Sequence, residues 1–147
     1  MSHRALAPAV LALLLLTACA GAVDRMREGA VRKVTPGVAF EILRDNRDIL
    51  VIDLRTEAEH EGPLGHIAGS INVPLAELPA LLDKLEGAGN RALLLYCRAG
   101  DDCGERGVAV LHEHGFDYPF LLDGGLEAWV DAGFGTVDAT ASSTDGD

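Results

Sequence analysis

Residues 93–106 read LLLYCRAGDDCGER, in which an apolar run ends at a cysteine, a short loop follows and an amphipathic run begins. The apolar run is typical of a buried parallel strand, and the segment from Gly104 to His114 predicts a helix. A strand that feeds a tight turn and then a helix directs backbone N–H groups toward one point, beside the positive end of the helix dipole. Cys97 stands at the head of that turn, where a thiol can be held as a thiolate near neutral pH.

The rest of the chain predicts further strands and helices in alternation. Strands are predicted around Val34 and at 49–52, 70–73, 92–96 and 119–122, and helices at 36–47, 78–85, 104–114 and 126–130, with a short helical or turn segment at 56–61. Alternation at this spacing predicts an α/β fold with a central, mostly parallel β-sheet flanked by helices. Ligands of such sheets bind beyond the carboxyl ends of the strands, and Cys97 lies at such an end.

The composition limits the classes of function. The chain has 147 residues, which fits one domain, and 48% of them are hydrophobic. Its formal net charge of −11, with no basic cluster, argues against a nucleic-acid partner. His112 and His114 are two positions apart and would lie on different faces of a helix, so no metal site is expected. No residue pattern calls for a cofactor, and the oligomeric state is not determined by the sequence.

The N-terminus predicts an export signal. Arg4 precedes an apolar segment from Leu6 to Leu16 that is too short to span a bilayer. The segment ends in Leu-Thr-Ala before Cys19, which resembles the lipobox of bacterial lipoproteins; a plain secretory signal is the alternative. The resemblance implies a signal peptide at 1–18, lipidation of Cys19 and an exported protein anchored by its lipid on the periplasmic side of the bacterial envelope. Ala20, rather than Asp, would leave such a lipoprotein free for sorting to the outer membrane.

Expectations also follow for the segments on either side of the predicted domain and for the two cysteines within it. Residues 19–33 are expected to form a tether, and the small, polar residues 135–147 a disordered tail. With Cys19 lipidated, Cys97 and Cys103 would be the remaining thiols, in an oxidising compartment where a disulfide can persist.

Residues 34–134 resemble a single-domain rhodanese, because three motifs occur in the family's order. They are VIDLR at 51–55 followed by GHIAGSINVP at 65–74, YCRAG at 96–100, and DGGLEAW at 123–129. The resemblance implies a sulfurtransferase in which the Cys97 thiolate takes a sulfane sulfur from a small sulfur-containing donor. It would hold that sulfur as a persulfide and pass it to a thiol or another nucleophilic acceptor. The substrate-binding loop would comprise Arg98, Ala99, Gly100, Asp101, Asp102 and Cys103.

Other residues of these motifs are expected to have structural roles. Asp53 and Arg55 are expected to form an ion pair, and His66 to pack and to form hydrogen bonds. Gly124 and Gly125 would be required for backbone shape near the loop, and Trp129 would belong to the core.

The acidic loop departs from the family pattern. Rhodaneses often carry Arg or Lys where this chain has Asp101, and Asp102 follows. A carboxylate roughly 6 to 8 Å from the thiolate would cost about 1 to 2 kcal/mol, which would raise the pKa of the thiol and repel thiosulfate. Arg98 and Arg106 could offset part of this cost. Alternatively, both aspartates point to solvent as residues of a helix N-terminus, where acidic groups are favoured.

Cys103 is the second departure, since Ser or Thr is common there. A loop that folds back on itself could bring Cys103 close to Cys97, but the sequence does not determine the distance between them. If the two thiols meet the distance that a disulfide requires, Cys103 would resolve a persulfide or make the site redox-sensitive. Alternatively, it is a small buried replacement for Ser. Two other functions therefore stay open: a thiol–disulfide protein that uses Cys97 and Cys103, and a rhodanese-like binding module without catalysis. A phosphatase is disfavoured, because acidic residues stand where a phosphate would need arginine.

Overall fold

The computed structural model of the protein describes residues 31–85 and 92–137. Its strands are β1 (Arg32–Val34), β2 (Leu50–Asp53), β3 (Ile71–Asn72), β4 (Leu93–Tyr96) and β5 (Phe120–Leu122). Its helices are α1 (Pro36–Asp45), α2 (Glu57–His60), α3 (Leu78–Leu85), α4 (Asp102–Glu113) and α5 (Gly125–Asp131), with a 3₁₀ turn at Leu75–Glu77.

The five strands form one sheet in the order β1-β5-β4-β2-β3, and all neighbouring strands are parallel. This confirms the predicted α/β fold. β4 lies in the middle of the sheet, and its last residue, Tyr96, pairs in register with Asp53, the last residue of β2. The two central strands therefore end at the same level, directly below Cys97.

Alternate residues of the central strands supply two separate hydrophobic cores. On one face, Ile52 and Leu95 pack with Leu82 of α3 and Leu111 of α4. On the other face, a second cluster joins the sheet to α1 and α5; it contains Val51, Leu94, Tyr96, Ala39 and Trp129. Because the strands are covered on both sides, their apolar runs are continuous, as expected for parallel strands. The predicted core position of Trp129 is confirmed.

Local capping explains where two helices begin. Thr35 accepts a hydrogen bond from the backbone N–H of Val38, and Pro36 occupies the first turn of α1, as the sequence predicts. The short helix α2 begins with a capping box, in which the Thr56 hydroxyl and the Glu59 carboxylate each bind the other residue's backbone N–H.

Several expected boundaries need correction. Helix α4 begins at Asp102 rather than Gly104, because the Asp101 side chain caps it. β1 begins at Arg32, so residues 32 and 33 belong to the domain and not to the tether. The domain also extends past Phe134, because the Trp129 indole N–H donates to the Gly135 carbonyl and Val137 forms an antiparallel bridge with His66.

The predictions for the signal peptide, Cys19, tether residues 19–30 and tail residues 138–147 lie outside the described residues. Within the described part of the chain, none of the helices has the length and apolar character needed to cross a membrane.

Candidate active site

Cys97 is buried at the carboxyl end of β4 and belongs to the core shared with α3 and α4. The loop that it opens is held by the first turn of α5. The backbone N–H of Leu126 donates to the Cys97 carbonyl at 2.9 Å, and the N–H of Glu127 donates to the Arg98 carbonyl at 2.9 Å. These two bonds direct the first carbonyls of the loop toward α5.

Gly125 permits this close contact between helix and loop. It has φ +63°, and a Cβ built there would lie 2.7 Å from the Cys97 carbonyl oxygen and 2.8 Å from the Ala99 nitrogen. Both atoms belong to the backbone, so no side-chain rotation would relieve the contact. Gly124 also has a positive φ, of 71°. The prediction that both glycines shape the backbone beside the loop is confirmed.

Cys97 and Cys103 are joined by a disulfide across the loop, with their Cα atoms 6.2 Å apart. This separation lies within the range that a disulfide permits. The interpretation of Cys103 as a simple replacement for serine is therefore wrong, because its sulfur is bonded to the candidate nucleophile. Cys103 is partly buried and packs against the core that contains Cys97.

Asp101 both caps a helix and lies close to the sulfur atoms, which are the two roles that the sequence left as alternatives. One oxygen of its exposed carboxylate accepts the backbone N–H of Cys103 at 3.3 Å, which caps α4. A carboxylate oxygen of Asp101 also lies within 4.8 Å of the sulfur atoms of Cys97 and Cys103. This distance is shorter than the expected 6 to 8 Å, so the carboxylate would oppose a thiolate at this position in the reduced protein more strongly than expected.

Among residues 31–85 and 92–137, Cys97, Asp101 and Cys103 are the one set of three potential metal ligands. The disulfide occupies both sulfurs, so this arrangement offers a metal only a single carboxylate.

The two arginines expected to offset the acidic loop are each paired with carboxylates. Arg98 lies 2.8 Å from Glu127 and 3.8 Å from Glu59, and the hydrogen bond to Glu127 raises the pKa of Arg98. Arg106 lies 3.9 Å from Asp102, four residues earlier in α4, as the sequence allows. Because these cations are already paired, the surface around the loop offers an anionic donor little attraction.

A buried network fixes the ends of β2 and β4. The Asp53 carboxylate accepts a hydrogen bond of 2.6 Å from Arg55 and one of 2.9 Å from the Tyr96 hydroxyl, and the His60 ring lies 2.8 Å away. Burial by itself would raise the pKa of Asp53, but the hydrogen bonds from Arg55 and His60 outweigh it and lower the pKa below the ordinary value. The predicted structural ion pair between Asp53 and Arg55 is confirmed.

The network also holds the segment between β2 and β3. Arg55 donates to the backbone carbonyls of Glu59 at 3.0 Å and Gly65 at 2.8 Å. The rings of His60 and His66 stack with their centroids 3.8 Å apart. A ring nitrogen of His66 also lies 3.3 Å from the His60 carbonyl oxygen, so His66 packs and forms a hydrogen bond, as predicted. A cavity of about 150 Å³ lies beside this segment and meets the loop at Arg98; it is lined by Arg55, Ala58, Glu59, Gly62, Pro63, Leu64 and Arg98.

Sequence reasoning missed the roles of His60 and Tyr96. No local pattern joins either side chain to Asp53, because Tyr96 is 43 positions away in the chain. The parallel pairing of β2 with β4 was the available signal, since it brings the last residues of the two strands side by side. Burial and the charge of Asp53 raise the pKa of Tyr96, so its hydroxyl stays protonated and donates to that carboxylate.

Comparison with known proteins matches residues 39–132 of this chain to the Rhodanese-like domain. Over 104 residues, the chain is 32% identical to the adenylyltransferase and sulfurtransferase MOCS3 of Arabidopsis thaliana, covering 61% of this chain and 22% of that protein. Over 94 residues, it is 33% identical to a tRNA uridine(34) hydroxylase of Hamiltonella defensa, covering 61% of this chain and 25% of that protein. The chain thus spans about a quarter or less of the length of these relatives.

Among solved structures, a thiosulfate sulfurtransferase of Pseudomonas aeruginosa has a similar fold, with a TM-score of 0.62 and 27% sequence identity. The match covers 76% of this chain and 20% of that one. Similar proteins therefore include two that are named sulfurtransferases and one that is named an RNA hydroxylase.

Proposed function

Because this chain belongs to the rhodanese-like domain family, we propose that it is a sulfurtransferase that carries a sulfane sulfur as a persulfide on Cys97. The observation that supports this most directly is the position of Cys97. It stands at the carboxyl end of the central strand and opens a loop fixed by the first turn of α5 and the N-terminus of α4. Ligand sites of parallel α/β sheets occur at this edge.

The reaction follows from thiolate chemistry. Once the disulfide is reduced, the Cys97 thiolate attacks the outer sulfur of the donor, whose sulfur–sulfur bond breaks and releases the remainder as an anion. A nucleophilic acceptor then attacks the outer sulfur of the persulfide and restores the thiolate. The proposal assigns the stabilisation of anionic sulfur to the backbone N–H groups of Arg98, Ala99 and Gly100, which have no backbone acceptor among the described residues.

The acidic surroundings favour a particular class of donor. The Asp101 carboxylate within 4.8 Å of the sulfurs, and the pairing of Arg98 and Arg106 with carboxylates, disfavour dianionic thiosulfate. A thiol-borne persulfide has at most one negative charge on its reacting sulfur atoms and is the preferred donor. The net charge of −11 also argues against an RNA substrate such as the hydroxylase relative's name indicates.

The test uses proteins with a single thiol. With Cys19 and Cys103 both replaced by Ser, only Cys97 remains, and we expect a persulfide donor to add one sulfur atom by intact-mass analysis. The matched control retains only Cys103 and should gain sulfur much more slowly. The proposal fails if the protein that retains Cys97 gains no sulfur, or if the two proteins gain it at the same rate.

The disulfide favours thiol–disulfide exchange as a second candidate function. In that case the reduced protein would reduce disulfide substrates catalytically in the absence of any sulfane donor. If the protein has both activities, replacement of Cys103 should abolish the reduction of disulfide substrates, while Cys97 should still take up sulfur.

We also propose that the chain is exported and anchored through a lipid on Cys19. An oxidising compartment would preserve the disulfide, in agreement with this location. Replacement of Cys19 by Ser should then move the protein from the membrane fraction to the soluble fraction.

A further inference from the structure

The disulfide shows which atom Cys103 can reach. Its sulfur is bonded to the Sγ of Cys97, which is the inner sulfur of the proposed persulfide. An external acceptor that takes the sulfane sulfur must attack the outer atom instead. The two attacks give different products, so the position of Cys103 bears on what the site releases.

The fold holds Cys103 in this position. It is the second residue of α4, a helix of 12 residues whose N-terminus is capped by Asp101. Close packing presses the helix against the sheet: a Cβ at Gly107 would lie 2.5 Å from Leu54 and 3.0 Å from Leu95. The N-terminus of the helix favours a thiolate at Cys103 and the Asp101 carboxylate within 4.8 Å opposes it, so the proximity of Cys103 to Cys97 is what suits it to act as the nucleophile.

We propose that Cys103 is the first nucleophile to attack the persulfide on Cys97 and that the site releases the sulfane sulfur as sulfide. This inference rests on the proposed sulfurtransferase function and identifies the group that resolves its persulfide. The Cys103 thiolate attacks the Sγ of Cys97, a new Sγ–Sγ bond forms, and the bond to the outer sulfur breaks. The outer sulfur leaves with the electron pair and its proton as hydrosulfide. The sulfane sulfur is reduced, and the two cysteines are oxidised to the disulfide that the structure contains.

Proximity makes this route faster than transfer to a thiol in solution. The Cα atoms are 6.2 Å apart across a loop already fixed by α5, so the reaction is intramolecular between held groups. Such reactions have effective concentrations far above those of a free thiol. A dissolved monothiol therefore meets the disulfide more often than the persulfide.

The cycle is then completed by two thiol equivalents, which a dithiol reductant supplies in one molecule. Cys97 is 2% exposed, whereas Cys103 is only partly buried, so an incoming thiolate attacks Cys103 and releases the Cys97 thiolate. The second thiol of the reductant frees Cys103. Overall, a persulfide and a dithiol yield a thiol, hydrogen sulfide and a disulfide, with atoms and electrons balanced.

The experiment is a single turnover of the full chain carrying Cys19→Ser, which leaves Cys97 and Cys103 as its thiols. The protein is reduced, freed of reductant and mixed with one equivalent of glutathione persulfide; released sulfide is trapped as its bimane derivative. We expect about one sulfide per protein, together with the loss of two hydrogen atoms in the intact mass. The additional variants Cys103→Ser and Cys103→Ala should retain one extra sulfur atom and release no sulfide. A Cys97→Ser control measures sulfide released by the donor itself.

The outcomes separate the two proposals. If the protein with both cysteines retains the extra sulfur as stably as the Cys103 variants do, Cys103 does not resolve the persulfide, while the sulfurtransferase proposal stands. Cys103 is also excluded from this role if the disulfide forms equally fast without the donor and the amount of released sulfide does not exceed that of the Cys97→Ser control. If neither the parent protein nor either Cys103 variant takes up sulfur, the sulfurtransferase proposal fails and this inference fails with it.

Discussion

Replacement of Gly125 by Ala tests whether contact between α5 and the loop shapes the site. Gly125 has φ +63°, and three backbone atoms of residues 97–99 lie 2.7 to 2.8 Å from the position of an added Cβ. Ordinary contacts of a Cβ begin near 3.4 Å. The helix must therefore move away from the loop, which lengthens the hydrogen bonds to the carbonyls of Cys97 and Arg98.

Two costs contribute to the expected loss of stability. A left-handed backbone conformation costs Ala about 1 to 2 kcal/mol relative to Gly. Forcing an extra carbon into a packed site adds about 1 to 3 kcal/mol. The total is a loss of about 2 to 5 kcal/mol in the free energy of unfolding. A displaced loop should also slow uptake of sulfur by Cys97 about tenfold or more, since misplacement of reacting groups is costly.

Gly133→Ala is the matched control. Gly133 lies just after the same helix with φ +85°, and a Cβ there would have no neighbour within 4 Å. The Gly133→Ala substitution has the same cost of a left-handed backbone and the same stabilising effect of a stiffer unfolded chain as Gly125→Ala. It lacks only the cost of the steric contact. Urea unfolding of both oxidised variants should therefore differ by about 1 to 3 kcal/mol. Equal stabilities, together with unchanged sulfur uptake in Gly125→Ala, would refute the reasoning.

Two further predictions concern charge. Hydrogen bonds lower the pKa of the buried Asp53 below its ordinary value of 3.8. The contribution of Asp53 to the free energy of unfolding is therefore complete above pH 3.8 and disappears as the pH falls through the lower pKa of the folded state. Asp53→Asn should lose about 3 to 5 kcal/mol near neutral pH and show a flatter acid dependence in urea unfolding; an unchanged acid slope would contradict this assignment. Asp101→Asn retains a capping side chain but removes the charge within 4.8 Å of the sulfurs, so alkylation of reduced Cys97 at neutral pH should accelerate about fivefold to tenfold. The exposed Asp102→Asn serves as control, and an equal acceleration there would assign the effect to net charge.

The order of strands and helices could be predicted from the sequence because it depends on local patterns. The apolar runs before Asp53 and Cys97 are long enough for strands, and strands alternating with helices favour parallel pairing. The positive φ of Gly124 and Gly125 and the cap formed at Thr35-Pro36 depend on the backbone of these residues and their close neighbours in the chain. These features need no knowledge of distant neighbours, and the structure confirms them.

The partners of the site residues depended on contacts between distant parts of the chain. Tyr96 meets Asp53 because β2 and β4 pair in register, and Leu126 binds the Cys97 carbonyl because α5 packs against the loop. Residue types at these positions do not specify such distances.

The stretch at 93–106 determined by itself that a cysteine would stand between a buried strand and a helix. Only the tertiary structure decided that Cys103 bonds to Cys97 and that the Asp101 carboxylate lies close to both sulfurs. The physical reason is that both distances depend on how closely α4 approaches the end of β4. That approach depends on two glycines of α4: Gly104, which faces Leu121, and Gly107, which faces Leu54 and Leu95. The three leucines lie on or directly after three different strands of the sheet.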